Sequence, residues 1–248
     1  MRSFLTLSRR TPRLDPLAPV PLSDRDRRVA HLAASVLLAY PDAGTREAAR
    51  ELADAVVGLP EPVADALGRV CATLVEADAD PEAAAALEAR YVATFDLKRR
   101  CSMYLSYYAA GDTRRRGVAL VRFVEAYRAA GWELGSEELP DYLPTVLELS
   151  ARTSGEDARI PAGLLGAHRD GIEVLRSSVA GTQPWADVLD AVCLTLPPLD
   201  PETEARYTAL VSDGPPTEMV GLTALGPLEP YAPAASDVLS DLAPGGPR

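Results

Sequence analysis

The sequence predicts an all-α protein built as a single helical domain of about eight helices. Alanine is abundant, whereas runs of isoleucine, valine and threonine that would favour strands are few. Apolar residues recur at positions i, i+3, i+4 and i+7, which is the spacing of one helix face. At 248 residues and 47% hydrophobic content, the chain is long enough to fill a substantial core.

Capping residues and stop signals divide the chain into helices. Ser23 occupies an N-cap position with Asp26 three residues later, and Asp80 followed by Pro81 marks another helix start. Gly131 is typical of a helix C-terminus. The predicted helical segments in chain order are 23–40, 45–57, 62–74, 81–95, 97–108, 113–131, 139–151, 161–179 and 184–196.

Composition places flexible, proline-rich segments at both ends of this domain. Residues 1–22 form a basic tail with arginines at 2, 9, 10 and 13, but no continuous apolar region follows the arginine pair, as an export signal would require. The helical domain spans 23–197. Residues 198–248 are acidic and hold ten of the 22 prolines, which predicts a mostly flexible tail. Within it, 205–211 could add one or two helical turns.

The charge and the scarce histidines exclude several classes of function. A net charge of −11 argues against nucleic-acid binding, and it suits either a basic partner or simple solubility. The three cysteines lack metal or redox spacing, as expected of reduced thiols in the cytoplasm. With two histidines, no cofactor or metal is expected, and an enzyme using paired carboxylates is disfavoured because Glu-x-x-His repeats are missing. No apolar run of about 18 residues predicts a membrane span.

The stretch 91–144 is the most informative part of the chain. If its first part forms one helix, Leu97, Cys101, Leu105, Tyr104 and Tyr108 lie together on an apolar face. Three polar side chains border that face: Asp96, Arg100 and Tyr107. Such a border is either a satisfied polar network or a binding surface.

Four motifs in this stretch resemble those of the NarJ-type nitrate reductase assembly chaperones, within the wider TorD/DmsD group. They are YVATFDLKRR (91–100), YLSYY (104–108), GDTRRRG (111–117) and ELPDYLP (138–144). One departure is Tyr142, where the wider group often has histidine after the Pro-Asp pair. Any role that depends on an imidazole is therefore in doubt.

The resemblance implies a TorD/NarJ-like, cytoplasmic, non-enzymatic chaperone. Such proteins bind the apo catalytic subunit of respiratory nitrate reductase, including its N-terminal peptide. They keep that subunit competent for molybdenum cofactor insertion and delay its docking to the membrane subunit. Molybdenum cofactor biosynthesis proteins are further expected partners. The alternatives are a chaperone for another molybdoenzyme of the DMSO reductase family, or a helical ligand-binding regulatory domain.

A basic amphipathic peptide requires an apolar groove with acids and hydroxyls at its rim. Tyrosines provide rigid contact area with polar tips, and the neighbouring acids, Glu137 among them, provide negative charge. The predicted peptide-binding residues are Asp96, Arg100, Tyr104, Tyr107, Tyr108, Asp112, Arg114, Arg116, Glu138 and Asp141.

Three alternatives remain open within this set. Asp141 could cap the following helix, and Tyr108 could belong to the core. Arginines 114–116 lie in a first helical turn, where the dipole disfavours cations. They therefore pair with acids such as Asp96 or Asp112, face a partner, or form a solvated cluster.

Overall fold

The helices pack around α3 and α9, with α1 lying between α7 and α10 and with α2 and α10 lying against α3. The computed structural model describes residues 15–135 and 138–216, and within these ranges it contains eleven α-helices and no strand beyond one isolated β-bridge. The all-α prediction is confirmed. The helices are α1 (Asp24–Leu37), α2 (Ala43–Val57), α3 (Glu61–Asp78), α4 (Pro81–Tyr91), α5 (Leu105–Ala110), α6 (Arg115–Ala129), α7 (Leu143–Arg152), α8 (Arg159–Ala167), α9 (Arg169–Ser178), α10 (Trp185–Thr195) and α11 (Pro201–Asp213).

The predicted caps at the two clearest helix starts are confirmed. The Ser23 hydroxyl accepts a hydrogen bond from the Asp26 N–H at 3.1 Å, and Asp80 accepts one from the Glu82 N–H at 2.9 Å. These bonds join residues two or three positions apart, so the local sequence decides them. The predicted core residues Phe123 and Tyr127 are also buried on the inner face of α6.

A charged cluster lies inside the core on α9. Glu173 is fully buried and accepts hydrogen bonds from Arg169 at 2.6 Å and Arg176 at 2.7 Å. Arg169 also donates to the carbonyl of Cys193 on α10. Because removing one member of such a cluster would leave an uncompensated buried charge, the cluster holds α9 and α10 in one arrangement.

Both predicted domain boundaries differ from the structure. Arg176 donates to the carbonyl of Asp15, and the Val20 N–H donates to Leu194, so residues 15–22 lie against α9 and α10. Residues 201–213, assigned to the tail, form α11, which packs on α9 through the buried Tyr207 and its 2.7 Å hydrogen bond to Ser177. The other parts of the two predicted tails, 1–14 and 217–248, lie outside the described residues.

The predicted helix over 97–108 is wrong. The chain leaves α4 through a π-helical turn, Val92–Asp96, and a 3-10 turn, Arg99–Cys101, before α5 begins. Leu97, placed on the apolar face by the prediction, is 75% exposed. The helix breaks because the Leu105 N–H bonds to the distant Asp141 carbonyl instead of to an earlier turn. The predicted segment 161–179 likewise divides at His168 into α8 and α9.

His31 should make stability fall between neutral and mildly acidic pH. Its ring lies between the hydroxyls of Ser150 and Thr195, both at 2.8 Å, and burial and the nearby Arg27 lower its pKa from 6.5 to about 3. The unfolded chain therefore binds a proton below pH 6.5 that the folded protein refuses until about pH 3. At pH 5 the free energy of unfolding should be smaller by about 2 kcal/mol from this group.

Denaturant titrations of wild type and His31→Gln at pH 7 and pH 5 measure this contribution. The variant should lose about 2 kcal/mol less than wild type over this interval. The same replacement at His168, whose ring lies 5.0 Å from that of Phe123, is the matched control and should keep the wild-type slope. Equal slopes for His31→Gln and wild type would contradict the assignment.

Gly171 is required because α9 touches the ring of Tyr108. A Cβ at this position would lie 2.7 Å from Cδ2 of Tyr108, which is too close for ordinary contact. Gly171→Ala should therefore lower the free energy of unfolding by about 1–3 kcal/mol. Gly163→Ala in α8 meets nothing within 4 Å and should be neutral or slightly stabilising, because alanine favours helices. Urea denaturation of both variants tests this, and equal midpoints would show that the contact is relaxed.

Candidate partner-binding site

Two distant segments are joined at the centre of the site. The Leu143 N–H donates to the Met103 carbonyl at 2.8 Å, and the Leu105 N–H donates to the Asp141 carbonyl at 2.9 Å. The resulting bridge sets Tyr104 beside Tyr142, with ring centroids 5.4 Å apart. This pairing brings the second and fourth sequence motifs together.

Asp141 secures the pairing from below. Its carboxylate is fully buried, and Oδ2 accepts hydrogen bonds from the N–H and the hydroxyl of Ser106, at 3.1 and 2.5 Å. The side chain thus caps α5. The alternative that it caps the following helix is wrong, because α7 has Tyr142 at its N-cap position and no side-chain cap. Arg116 approaches the same carboxylate at 3.9 Å.

A cavity of about 350 Å³ opens between the joined segments, the turns that follow α4 and the start of α6. Its wall is mostly aromatic on one side and carries charged groups of both signs on the other. The lining residues are Tyr91, Phe95, Asp96, Lys98, Arg99, Ser102, Met103, Tyr104, Tyr107, Asp112, Arg116, Glu138 and Tyr142.

The structure brings six of the ten predicted site residues to this cavity: Asp96, Tyr104, Tyr107, Asp112, Arg116 and Glu138. The other four lie elsewhere. Tyr108 and Asp141 are buried, whereas Arg100 and Arg114 are exposed and do not line the cavity. Glu137 lies outside the described residues.

Tyr108 acts as a structural strut. Its hydroxyl donates to the carbonyls of Arg100 at 3.1 Å and Ser102 at 2.7 Å, while its ring packs on α9 at Gly171. The side chain thereby holds the turn that carries Arg99 and Ser102 at the cavity edge. Of the two roles left open for Tyr108, the structure shows the core role.

Arg116 is the arginine of the 114–116 cluster that turns inward. Its guanidinium carbon lies 5.3 Å from the centroid of the Tyr104 ring, and the group pairs with Asp112 at 3.6 Å. Asp112 also approaches Arg99 at 3.9 Å. The predicted pairing with Asp112 is therefore confirmed for Arg116, and the pair offsets the unfavourable position of this cation in the first turn of α6.

The tyrosines of the wall remain neutral hydrogen-bond donors. Burial, reinforced by a 3.0 Å hydrogen bond to Glu138, raises the pKa of Tyr104 to about 12. Burial also raises the pKa values of Tyr91 and Tyr142, whose hydroxyl oxygens lie 3.5 Å apart. Asp96 adds to both of these increases, which places its negative charge near the two hydroxyls.

The lining contains three carboxylates and three cations, so the cavity is amphoteric. The expected acid-rimmed groove describes only one end, where Asp96 and Glu138 flank the tyrosine hydroxyls. At the other end Asp112 is shared by Arg99 and Arg116. Such a surface can hold an apolar side chain against the rings and a cation against the free carboxylate of Asp96.

Sequence reasoning missed several lining residues, chiefly Tyr91, Phe95, Met103 and Tyr142. A helical period over 97–108 cannot find them, because the chain is not helical there and Met103 reaches the cavity by pairing with Leu143. The available signal was the presence of Tyr91 and Tyr142 inside the motifs at 91–100 and 138–144.

The described residues contain no group of three or more His, Cys, Asp or Glu side chains that could hold a metal ion. Among them, no helix combines the length and apolar character needed to cross a membrane. The functional features of the described part are therefore the cavity and the surfaces around it.

An all-helical body with a cavity at these motifs defines the class to which the chain belongs. Residues 39–189 match the family described as nitrate reductase delta subunit, and the chain is a member of that family. This match spans α2 to α10 and includes every residue that lines the cavity.

Individual relatives support the same assignment. The chain is 33% identical over 138 residues to the probable nitrate reductase molybdenum cofactor assembly chaperone NarJ of Bacillus subtilis, covering 56% of this chain and 73% of the relative. It is 36% identical over 130 residues to NarJ of Escherichia coli K12, the nitrate reductase molybdenum cofactor assembly chaperone, covering 50% and 52%. The resemblance to NarJ-type proteins is thus confirmed.

A further relative is much longer than the chain. The nitrate reductase-like protein NarX of Mycobacterium tuberculosis H37Rv is 40% identical over 163 residues, which is 65% of this chain but only 23% of that protein. The chain therefore corresponds to one part of a larger polypeptide in this case.

Asp141→Ala should destabilise the fold strongly. The change removes the cap of α5 and leaves two donors on Ser106 without their buried acceptor, so the free energy of unfolding should fall by about 3–5 kcal/mol. Asp112→Ala, which removes an exposed acid paired at 3.6 Å or more, should cost about 0–1 kcal/mol. Urea denaturation with comparison of slopes distinguishes the two. A wild-type midpoint for Asp141→Ala would show that α5 does not depend on this carboxylate.

Proposed function

We propose that this protein is an assembly chaperone for respiratory nitrate reductase, and that its cavity binds the N-terminal peptide of the catalytic subunit. The observation that carries the proposal is the convergence of all four NarJ-type motifs on one cavity, each supplying lining residues. Membership of the delta subunit family and the names of the NarJ relatives support it.

The size of the cavity indicates how a peptide is held. At about 350 Å³ it lies at the small end of the about 300–1,000 Å³ typical of ligand pockets. It therefore accepts one or two side chains projecting from a segment, while the segment itself lies across the rim. An amphipathic helix places anchors on one face at this spacing, so the peptide becomes helical as it docks.

Charge supports a basic peptide. The chain carries a net charge of −11, which attracts cations at long range. At short range Asp96 has no ion-pair partner in the described ranges, and it lies near the hydroxyls of Tyr91 and Tyr142. A lysine or arginine of the peptide would bind between this carboxylate and the aromatic wall.

Binding at this place explains the further steps expected of such a chaperone. A catalytic subunit whose N-terminal segment is covered remains in the cytoplasm, away from its membrane partner, while the molybdenum cofactor is inserted. The role of this chain is then binding, with no catalytic step of its own. Proteins that build the cofactor are the natural further partners of such a complex.

Calorimetry with a synthetic peptide of the reductase N-terminus tests the proposal. Tyr107→Ala removes contact area from the wall and should weaken binding by about tenfold, mainly through faster dissociation. Glu138→Gln and Asp96→Asn keep shape but remove charge, so they should slow association and reduce its dependence on salt. The wild-type affinity should fall as added salt shortens the screening length towards about 8 Å.

Matched controls separate the cavity from the remaining surface. Trp132→Ala removes a partly exposed aromatic and Glu51→Gln an exposed carboxylate, both away from the cavity, and both should bind like wild type. If folded variants at Tyr107, Asp96 and Glu138 all bound the peptide with wild-type affinity, the peptide site would lie elsewhere.

A further inference from the structure

The outward face of α6 carries apolar side chains that the fold does not use. Val118 is 62% exposed and Val121 is 55% exposed, although Phe123 and Tyr127 on the opposite face are buried. Valine is a poor helix former because its branched side chain loses rotamer freedom against the preceding turn. Two outward valines one turn apart therefore weaken α6 without contributing to the core.

The same face is basic in an otherwise acidic protein. Residues 114–129 contain five arginines and a single acid, Glu125, whereas the whole chain carries a net charge of −11. Arg116 turns inward to the cavity, but Arg115, Arg122 and Arg128 have no ion-pair partner among residues 15–135 and 138–216. By helical spacing, Arg114, Arg122 and Arg128 flank the two valines.

We propose that this face, defined by Arg114, Val118, Val121, Arg122 and Arg128, is a second interaction surface that receives an acidic amphipathic helix of a partner protein. Two exposed valines at i and i+3 leave a shallow gap that the leucine or isoleucine of another helix fills. Carboxylates beside that anchor then meet the flanking guanidinium groups. The surface thus selects a charge opposite to that favoured by Asp96 in the cavity.

Other occupants fit the charges less well. A second copy of this chain, docked symmetrically, would place the two basic faces against each other. An anionic membrane would repel a body of net charge −11, and two valines without aromatic or leucine neighbours offer little area for insertion. A partner helix with acids on both sides of an apolar stripe satisfies both features.

Fluorescence anisotropy with the full chain tests the proposal. The probe is a labelled 18-residue peptide with leucines at helical spacing and glutamates at most other positions, about two and a half heptads long. The control is a peptide of equal composition with its order shuffled to destroy the stripe. The probe should bind, and the shuffled peptide should bind at least about tenfold more weakly because charge alone cannot fill the gap between the valines.

Variants locate the contact. Val121→Ser and Arg122→Glu should each weaken probe binding by about tenfold, while leaving the binding of a basic peptide at the cavity unchanged. The matched controls Val57→Ser on α2 and Arg25→Glu on α1 alter residues of the same types at exposed positions and should match wild type. Circular dichroism verifies that each variant is folded.

Three results would overturn the proposal: equal affinity for the probe and the shuffled peptide, wild-type probe binding by both α6 variants, or equal losses in the control variants. Vesicles containing phosphatidylserine form a separate arm. If the chain binds these vesicles through α6 but does not bind the probe, the face is a membrane surface and the partner-helix proposal is wrong.

Discussion

The site depends on the pairing of the chain near residue 104 with the chain near residue 142, and on the buried carboxylate of Asp141 that secures it. Two backbone hydrogen bonds and the Ser106 contacts replace the helix that the local sequence favours. Once this pairing forms, Tyr104 and Tyr142 stack and the turns after α4 are held away from them, so a cavity remains between the two walls. The exposed π and 3-10 turns are stable only because this pairing and the Tyr108 hydroxyl satisfy their backbone groups.

The helix α6 connects the two binding surfaces described above. Its inner side supplies Arg116 to the cavity, and its outer side presents Val118 and Val121 to solvent. Because a helix moves as a rigid element, a partner on one side biases its position for a partner on the other. The Arg116–Asp141 contact is the place where such a bias would be felt, since Asp141 also holds the start of α5.

The predictable parts of the fold are those decided within a few residues. The caps of Ser23 and Asp80 and the inner face of α6 follow from local spacing. The break before Leu105 does not, because it depends on a carbonyl far along the chain, and neither does α11, since Tyr207 is buried only by meeting Ser177. For the site, the motifs located the right segments, but an assumed helical face placed Tyr108 on a surface and overlooked Tyr91 and Met103.

The contact between Gly171 and Tyr108 has a consequence for the history of the family. A ring seated directly on a helix backbone leaves no room for independent change at either position. A descendant that gains a side chain at 171 must first, or at the same time, lose the ring at 108, and with it the hydroxyl that supports the turn after α4. The order of these substitutions is therefore constrained, and we expect lineages to keep both residues or to replace both.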